Sequence, residues 1–290
     1  MILGFEDHVE MLNGIEIAWS MGGDGPPLLL LHGFPQTRAL WAKVAPQLAN
    51  TYQVICPDLR GYGASGKPHP VSAYSFREMA RDQIALMTHL GHKRFAVAGH
   101  DRGGRVAHRL ALDAPGAVSK LCVMDIIPTH TLLTELRMDV AQAYYHWFFL
   151  AQPEPFPDHM IAADPDRYFE SCLLGWGAAK LEDFDADQLA AYRAAWRDPY
   201  TIRGMCNDYR AAISHDVEDD AADLDAQITC PTLVLYGADG AMAKAYDVAE
   251  TWAGKCTDMQ AKALPGGHFF VDCASDETVD VLQTFFEDAV

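Results

Sequence analysis

No run of this sequence approaches the roughly 20 apolar residues that a membrane-spanning helix needs. Residues 1–13 have no basic start and no apolar stretch of the kind a secretory leader carries; they hold Glu6, Asp7 and Glu10 instead. Positive charge is scarce, with 22 Lys and Arg against 40 Asp and Glu, for a formal net charge of −18. Repulsion on that scale argues against nucleic acid and anionic membranes as partners. The seven cysteines are odd in number, and no two stand in C-x-x-C spacing. A disulfide framework and a zinc site are therefore not expected, and reduced cysteines packed as small hydrophobes are. These absences predict a cytoplasmic protein that uses no metal. They also pose a question, because an anionic substrate of so acidic a protein would need local cations at its site.

What is present is a chain of 290 residues with 50% hydrophobic content, enough for one large core and an insertion. Short apolar runs recur at Leu28–Leu31, Tyr52–Cys56, Phe95–Ala98, Leu121–Met124 and Thr232–Tyr236, each closed by Gly, Pro or Asp. Helix-length segments such as Ser75–Leu90 and Gly104–Ala114 lie between them. Continuous apolar strands alternating with helices predict an α/β protein with a mostly parallel, doubly wound sheet. From Pro128 to about His215 the strands stop, and Trp, Tyr, Phe and Met become frequent. The expected organisation is a core of residues 1–127 and 216–290, with a helical cap of residues 128–215.

The most informative segment is Phe95-Ala-Val-Ala-Gly99-His100-Asp101-Arg102-Gly103-Gly104-Arg105. It reads as strand, G-x-nucleophile-x-G turn, helix. Small residues are needed because the turn is strained and crowded, and it lifts one side chain above the sheet. A serine often occupies that place. Here it is Asp101, and a carboxylate is already ionised at neutral pH, so it can attack an sp3 carbon without a base. The resulting ester must then be hydrolysed by water. A helix-capping Asp is the plainer explanation of G-x-D-x-G alone, but the apolar strand before it and the helix after it favour the nucleophile.

Other segments complete a catalytic set. His32-Gly33-Phe34-Pro35 follows the Leu28–Leu31 strand, where a loop supplies a backbone N–H to an oxyanion hole. Phe34 is the expected donor, with Arg102 giving the second N–H. His268, in Gly266-Gly267-His268-Phe269 after the Met259–Leu264 run, is the expected base that activates water; most of the other histidines read as surface residues. Its acid partner is Asp125 or Asp239. Gly237-Ala238-Asp239-Gly240 carries its Asp one residue early for the usual G-x-x-D pattern, which favours Asp125. Arg102 and Arg105 flank the turn. They either neutralise Asp101 or form a fork for a substrate carboxylate, and since a cation weakens a neighbouring nucleophile, the fork is the better explanation.

The motifs His32-Gly-Phe-Pro35, Asp58-Leu-Arg-Gly-Tyr-Gly-Ala-Ser65, His100-Asp-Arg-Gly-Gly-Arg105 and Gly267-His-Phe269 together resemble the fluoroacetate (haloacetate) dehalogenases of the α/β-hydrolase superfamily. The resemblance spans nearly the whole chain, and the arginine-rich turn is its discriminating part. It implies an α/β-hydrolase fold, Asp101 as nucleophile, His268 as base, Asp125 as its partner, and Arg102 with Arg105 on the substrate carboxylate. It further implies that His146, Trp147 and Tyr209 hold the departing halide, a role that the residues alone would not suggest, since the two aromatics read as cap core. Fluoroacetate and water would be the reactants, no cofactor is implied, and a homodimer is suggested. The alternatives are an epoxide hydrolase, which would protonate its substrate through Tyr144 or Tyr145 with Tyr209, and a binding protein that keeps the fold without the chemistry.

Overall fold

A computed structural model of the chain describes residues 2–176 and 179–287; the outermost ends of the expected core, residue 1 and residues 288–290, lie outside them. Eight strands form one sheet: β1 (Glu6–Leu12), β2 (Ile15–Gly22), β3 (Pro27–Leu31), β4 (Gln53–Pro57), β5 (Phe95–His100), β6 (Val118–Met124), β7 (Thr232–Gly237) and β8 (Met259–Leu264). Their spatial order is β1-β2-β4-β3-β5-β6-β7-β8. The pairs β1/β2 and β2/β4 are antiparallel, and the remaining pairs are parallel.

The unbroken apolar runs have a direct cause. Leu29 and Leu31 face one core, against Leu86, Val106 and Leu110, while Leu28 and Leu30 face another, against Trp41, Leu282 and Phe286. Successive strand residues point to opposite faces, so a strand covered on both sides must be apolar throughout. The helix Phe76–His89 starts where the Ser75 hydroxyl accepts from the Glu78 N–H at 3.2 Å, an N-cap contact. The β1–β2 hairpin was not anticipated. Its turn residues, Asn13 and Gly14, have φ of 48° and 81°. An Asn-Gly pair accepts that left-handed geometry at low cost, and it is a strong hairpin signal that the acidic N-terminal composition obscured.

The chain passes from β3 outward to β4 and returns to β5 on the other side of β3. That reversal opens a crevice at the carboxyl ends of β3 and β5, the usual place for a ligand in a doubly wound sheet. Between β6 and β7 the described residues form only helices, from Thr129–Thr134 through Val217–Ala222. This helical segment is fastened over the crevice. Trp196 donates through Nε1 to Pro35 O at 2.5 Å, the Gln188 side chain donates to Ala39 O at 2.9 Å, and the His268 N–H donates to Trp176 O at 3.2 Å. No described helix is long and apolar enough to cross a membrane.

Candidate active site

Asp101 ends β5 and precedes the helix Arg102–Asp113, with φ 50° and ψ −115°. A non-glycine residue rarely adopts positive φ, so the turn stores strain that its surroundings must hold. The neighbouring glycines are required by contact. A Cβ on Gly33 would lie 2.5 Å from the Asp101 Cβ, and one on Gly103 would collide with the Leu31 and His32 backbone. The Asp101 N–H donates to Met124 O at 3.1 Å, which ties the turn to β6. The Phe34 N–H donates to Asp101 Oδ1 at 2.8 Å. The loop after β3 is fixed in turn by His32, whose Nε2 accepts from the Leu59 N–H at 3.0 Å.

His268 lies on the loop after β8, wholly buried. Its Nδ1 is 2.6 Å from Asp125 Oδ2, and its Nε2 is 3.8 Å from Asp101 Oδ2. Asp125 ends β6 and its Oδ1 accepts from the Gly237 N–H at 2.8 Å, so the carboxylate is held at both oxygens. Asp239 is exposed, and its N–H donates to Gly266 O at 2.9 Å; it is not a partner of His268. Burial alone would lower the basicity of His268, but the hydrogen bond and charge of Asp125, with the charge of Asp101, leave it raised above the ordinary imidazole value. Asp101 shows the converse. Burial pushes its carboxyl up, yet His268, Arg102 and Arg105 among its neighbours outweigh that and hold it below the usual carboxylate value. It is an anion at neutral pH.

The two arginines, read from the sequence as an equivalent fork, are not equivalent. Arg102 is already paired: its Nε donates to Asp208 Oδ2 at 2.9 Å, and its Nη2 donates to Asp208 Oδ1. Its Nη1 has no partner. Arg105 has no carboxylate ion pair among the described residues, and its Nη1 donates to Ile127 O and Thr129 Oγ1, both at 3.0 Å. Its Nε is buried without a partner. Burial, and then the neighbouring Arg102, push the Arg105 guanidinium down to about 10, which marks an under-compensated cation. Two buried donor nitrogens, Arg102 Nη1 and Arg105 Nε, are thus left unpaired among the described residues, and each buried orphan carries a desolvation cost that an anion would relieve.

From the helical segment come His146, Trp147 and Tyr209, all buried. Among the described residues, both ring nitrogens of His146 and the hydroxyl of Tyr209 lack hydrogen-bond partners. The His146 ring stacks on Phe34 at 5.6 Å between centroids and meets Tyr209 edge-on at 5.4 Å. Trp147 meets Tyr209 edge-on at 5.3 Å. Burial and nearby positive groups keep the His146 imidazole well below its ordinary value, so it is neutral and keeps one N–H. Burial raises the Tyr209 phenol, which stays protonated. The site therefore sets the Asp101 carboxylate beside the His268 imidazole, with neutral polar groups of His146 and Tyr209 contributed by the helical segment.

Three further residues line the site; read from the sequence, Tyr144 has a role only in the epoxide alternative, and Trp176 and Asp208 have none. Tyr144, beside the predicted His146, has a buried hydroxyl without a partner and a ring 6.3 Å from that of His268. Trp176 lies 4.2 Å from His146 between ring centroids and donates to Ala143 O at 3.0 Å. Asp208, next to Tyr209, holds Arg102. Among the described residues no group of His, Cys, Asp or Glu is arranged to hold a metal ion.

Comparison with known proteins places this geometry in context. Residues 26–272 match the family described as alpha/beta hydrolase fold. A fluoroacetate dehalogenase from Burkholderia sp is 51% identical, over 100% of this chain and 96% of that protein. A soluble epoxide hydrolase from Corynebacterium sp. (strain C12) is 31% identical over 96% of each. Among solved structures, an alpha/beta hydrolase from Nostoc sp PCC 7120 superposes with a TM-score of 0.97 at 44% identity, covering 99% of this chain and 100% of the other.

Proposed function

Because the chain belongs to the α/β-hydrolase family, and its nucleophile turn carries a carboxylate beside two buried arginines, we propose that it hydrolyses haloacetates, converting fluoroacetate and water to glycolate, fluoride and a proton. The single observation that carries the reading is the arrangement at Asp101: Oδ1 takes the Phe34 N–H at 2.8 Å, while Oδ2 faces His268 at 3.8 Å. In this reading the substrate carboxylate sits between Arg102 Nη1 and Arg105 Nε. That directs its α-carbon at Asp101 Oδ2. Attack forms the C–O bond as the C–F bond breaks, and fluoride leaves with the electron pair toward His146, Trp147 and Tyr209. Fluoride concentrates its charge in a small volume, so donors in a dry pocket stabilise the departing ion more than the neutral C–F group.

The second half returns the enzyme. His268 takes a proton from water, and the hydroxide attacks Cγ of the Asp101 ester. The oxyanion develops on Oδ1, where the Phe34 N–H and the Arg102 N–H are assigned to receive it. Collapse breaks the Cγ–Oδ2 bond, the departing glycolate oxygen takes the proton of the Asp101 carboxyl, and the proton on His268 passes to solvent, which restores both groups. The helical segment of residues 128–215 acts as the cap that excludes water until this step.

One observation favours a second reading, epoxide opening: two buried hydroxyls, of Tyr144 and Tyr209, lack partners and could protonate an alkoxide. The unpaired Arg105 weighs against it, since a neutral epoxide leaves that cation uncompensated. Fluoride-electrode and chloride assays with fluoroacetate and chloroacetate, against an Asp101→Ala control and with styrene oxide in parallel, decide between them. Halide release from the wild type alone supports the first reading, and turnover of styrene oxide without halide release reverses it. We further infer a homodimer formed through the exposed apolar face of the cap, Tyr145, Phe148, Phe156, Met160 and Leu174. A reducing, cytoplasmic setting fits the free cysteines, none of them paired among the described residues.

A further inference from the structure

Asp208 belongs to the helix Pro199–Ala211 of the cap, yet its side chain is spent on the core. It is wholly buried. Its carboxylate and its own carbonyl together take Arg102 Nε at 2.9 Å, Nη2 at the second carboxylate oxygen, and Nη2 again at 3.1 Å on the carbonyl. The remaining lone pair of Oδ2 accepts from the Tyr62 hydroxyl at 2.6 Å. Aromatic rings crowd the same guanidinium, with Phe76 at 4.6 Å, Trp147 at 4.9 Å and Tyr209 at 4.3 Å from its central carbon. Only Arg102 Nη1 is left for a ligand.

We propose that Asp208 is a positioning residue for the dehalogenation reaction: it aims the free Nη1 of Arg102 and cancels that arginine's charge, so that a single net cation, Arg105, faces the substrate carboxylate. The proposal rests on the haloacetate reading and adds a residue and a charge rule to it. At this end of the site Arg102 and Asp208 cancel, and Arg105 balances Asp101 before substrate binds. Asp216, buried near Arg102 and Asp208, is pushed up to about 8 by burial; Asp125 is paired with His268, and Asp220 acts on Arg105 less than Arg102, Asp101 and Tyr209 do. A bound haloacetate adds one negative charge. Attack moves the Asp101 charge onto the halide, and once the halide has left, Arg105 balances the carboxylate of the ester. A second uncompensated cation would hold Asp101 and the substrate more tightly in the ground state than in the transition state, which costs rate. It would also retain glycolate. Because Asp208 comes from the cap while Arg102 and Tyr62 come from the core, this balance exists only with the cap seated.

The test is Asp208→Asn, nearly isosteric and uncharged, assayed by chloride release from chloroacetate and by glycolate inhibition. The expected result is a kcat lowered by roughly ten- to a hundredfold, the range for losing a hydrogen bond between charged groups. KM should stay level or fall, glycolate should inhibit at lower concentration, and Asp208→Glu should recover part of kcat. A merely structural role moves the other parameters in the opposite direction. A raised KM with weaker glycolate inhibition overturns the proposal, and so does no change in kcat. If Asp208→Asn does not fold, Tyr62→Phe is read instead. It keeps both charges and removes one hydrogen bond to Asp208, so kcat should fall by about threefold or more without a rise in KM. An unchanged kcat, or a raised KM, would overturn the assignment. A wild type that releases no halide would remove the haloacetate reading itself, which is a separate failure.

Discussion

The Nε2 of His268 stands 3.8 Å from Oδ2 of Asp101, beyond hydrogen-bonding distance, and it has no other partner among the described residues. Oδ2 is therefore free of a histidine proton, and its lone pairs remain available to attack carbon. The same separation suits the second step, in which His268 must act on a water beside the Asp101 carbonyl carbon and not on Asp101 itself. In the proposed mechanism one imidazole thus leaves Asp101 alone in the first half of the reaction and serves it in the second.

The charge of Asp101 helps raise His268, and alkylation of Asp101 removes that charge. The base should then titrate lower in the ester than in the free enzyme. His268 works when neutral, so activity rises with pH through its titration. The acid limb of kcat, if ester hydrolysis limits turnover, is expected at lower pH than the titration of His268 in the free enzyme. Steady-state rates across pH and an NMR titration of the His268 imidazole in the free enzyme give the two values, and coincident values would contradict the coupling.

Among the described residues Arg105 has no carboxylate partner of its own, and it is assigned to the substrate carboxylate. Arg105→Gln should raise KM for chloroacetate by roughly ten- to a hundredfold, as expected for a hydrogen bond to a charged group. Chloroacetamide, which lacks the negative charge, should show little of that change. Equal effects on both substrates would mean that Arg105 supports the fold and not the carboxylate.

The unpartnered hydroxyl of Tyr209 is assigned to the halide. Tyr209→Phe should lower kcat for fluoroacetate by about a hundredfold, the effect of removing one oxyanion-hole donor. The loss for chloroacetate should be smaller, because chloride spreads its charge and accepts hydrogen bonds less strongly. An equal loss for both would assign Tyr209 to general packing.

Gly33 separates the β3 loop from the nucleophile turn. Gly33→Ala places a Cβ 2.5 Å from the Asp101 Cβ, which forces the turn to move. Thermal unfolding should show a loss of about 1–3 kcal/mol, typical of overpacking, together with near-complete loss of halide release. Wild-type activity in this variant would show that the turn tolerates displacement.

Much of this site was readable from the chain because strained turns restrict what can occupy them. The glycines around Asp101, the run before Phe34 and the loop carrying His268 each mark the carboxyl end of a strand, where a parallel sheet gathers its ligand-binding loops. What the chain concealed were contacts between residues far apart. Asp208 and Arg102 are separated by 106 positions, and an Asp beside Tyr209 on an amphipathic helix looks like a solvated face. For the same reason the two arginines looked interchangeable, although the structure commits most of one to Asp208. Tyr144 was legible only as one of two neighbouring tyrosines that an epoxide hydrolase would use. The β1–β2 hairpin was legible from Asn13-Gly14, but the acidic, half-polar flanks lacked the continuous apolar character of the other strands.

The account turns on Asp101 acting as a nucleophile and not as a base for direct attack by water. A single turnover with enzyme in excess over chloroacetate, in 18O-labelled water, followed by mass spectrometry of the peptide that carries Asp101, tests this. Because hydroxide attacks the ester at Cγ, the label is expected in the Asp101 carboxylate and absent from the first glycolate released, with His268→Asn trapping the ester before any label enters. Label in the first glycolate and none in Asp101 would contradict the account.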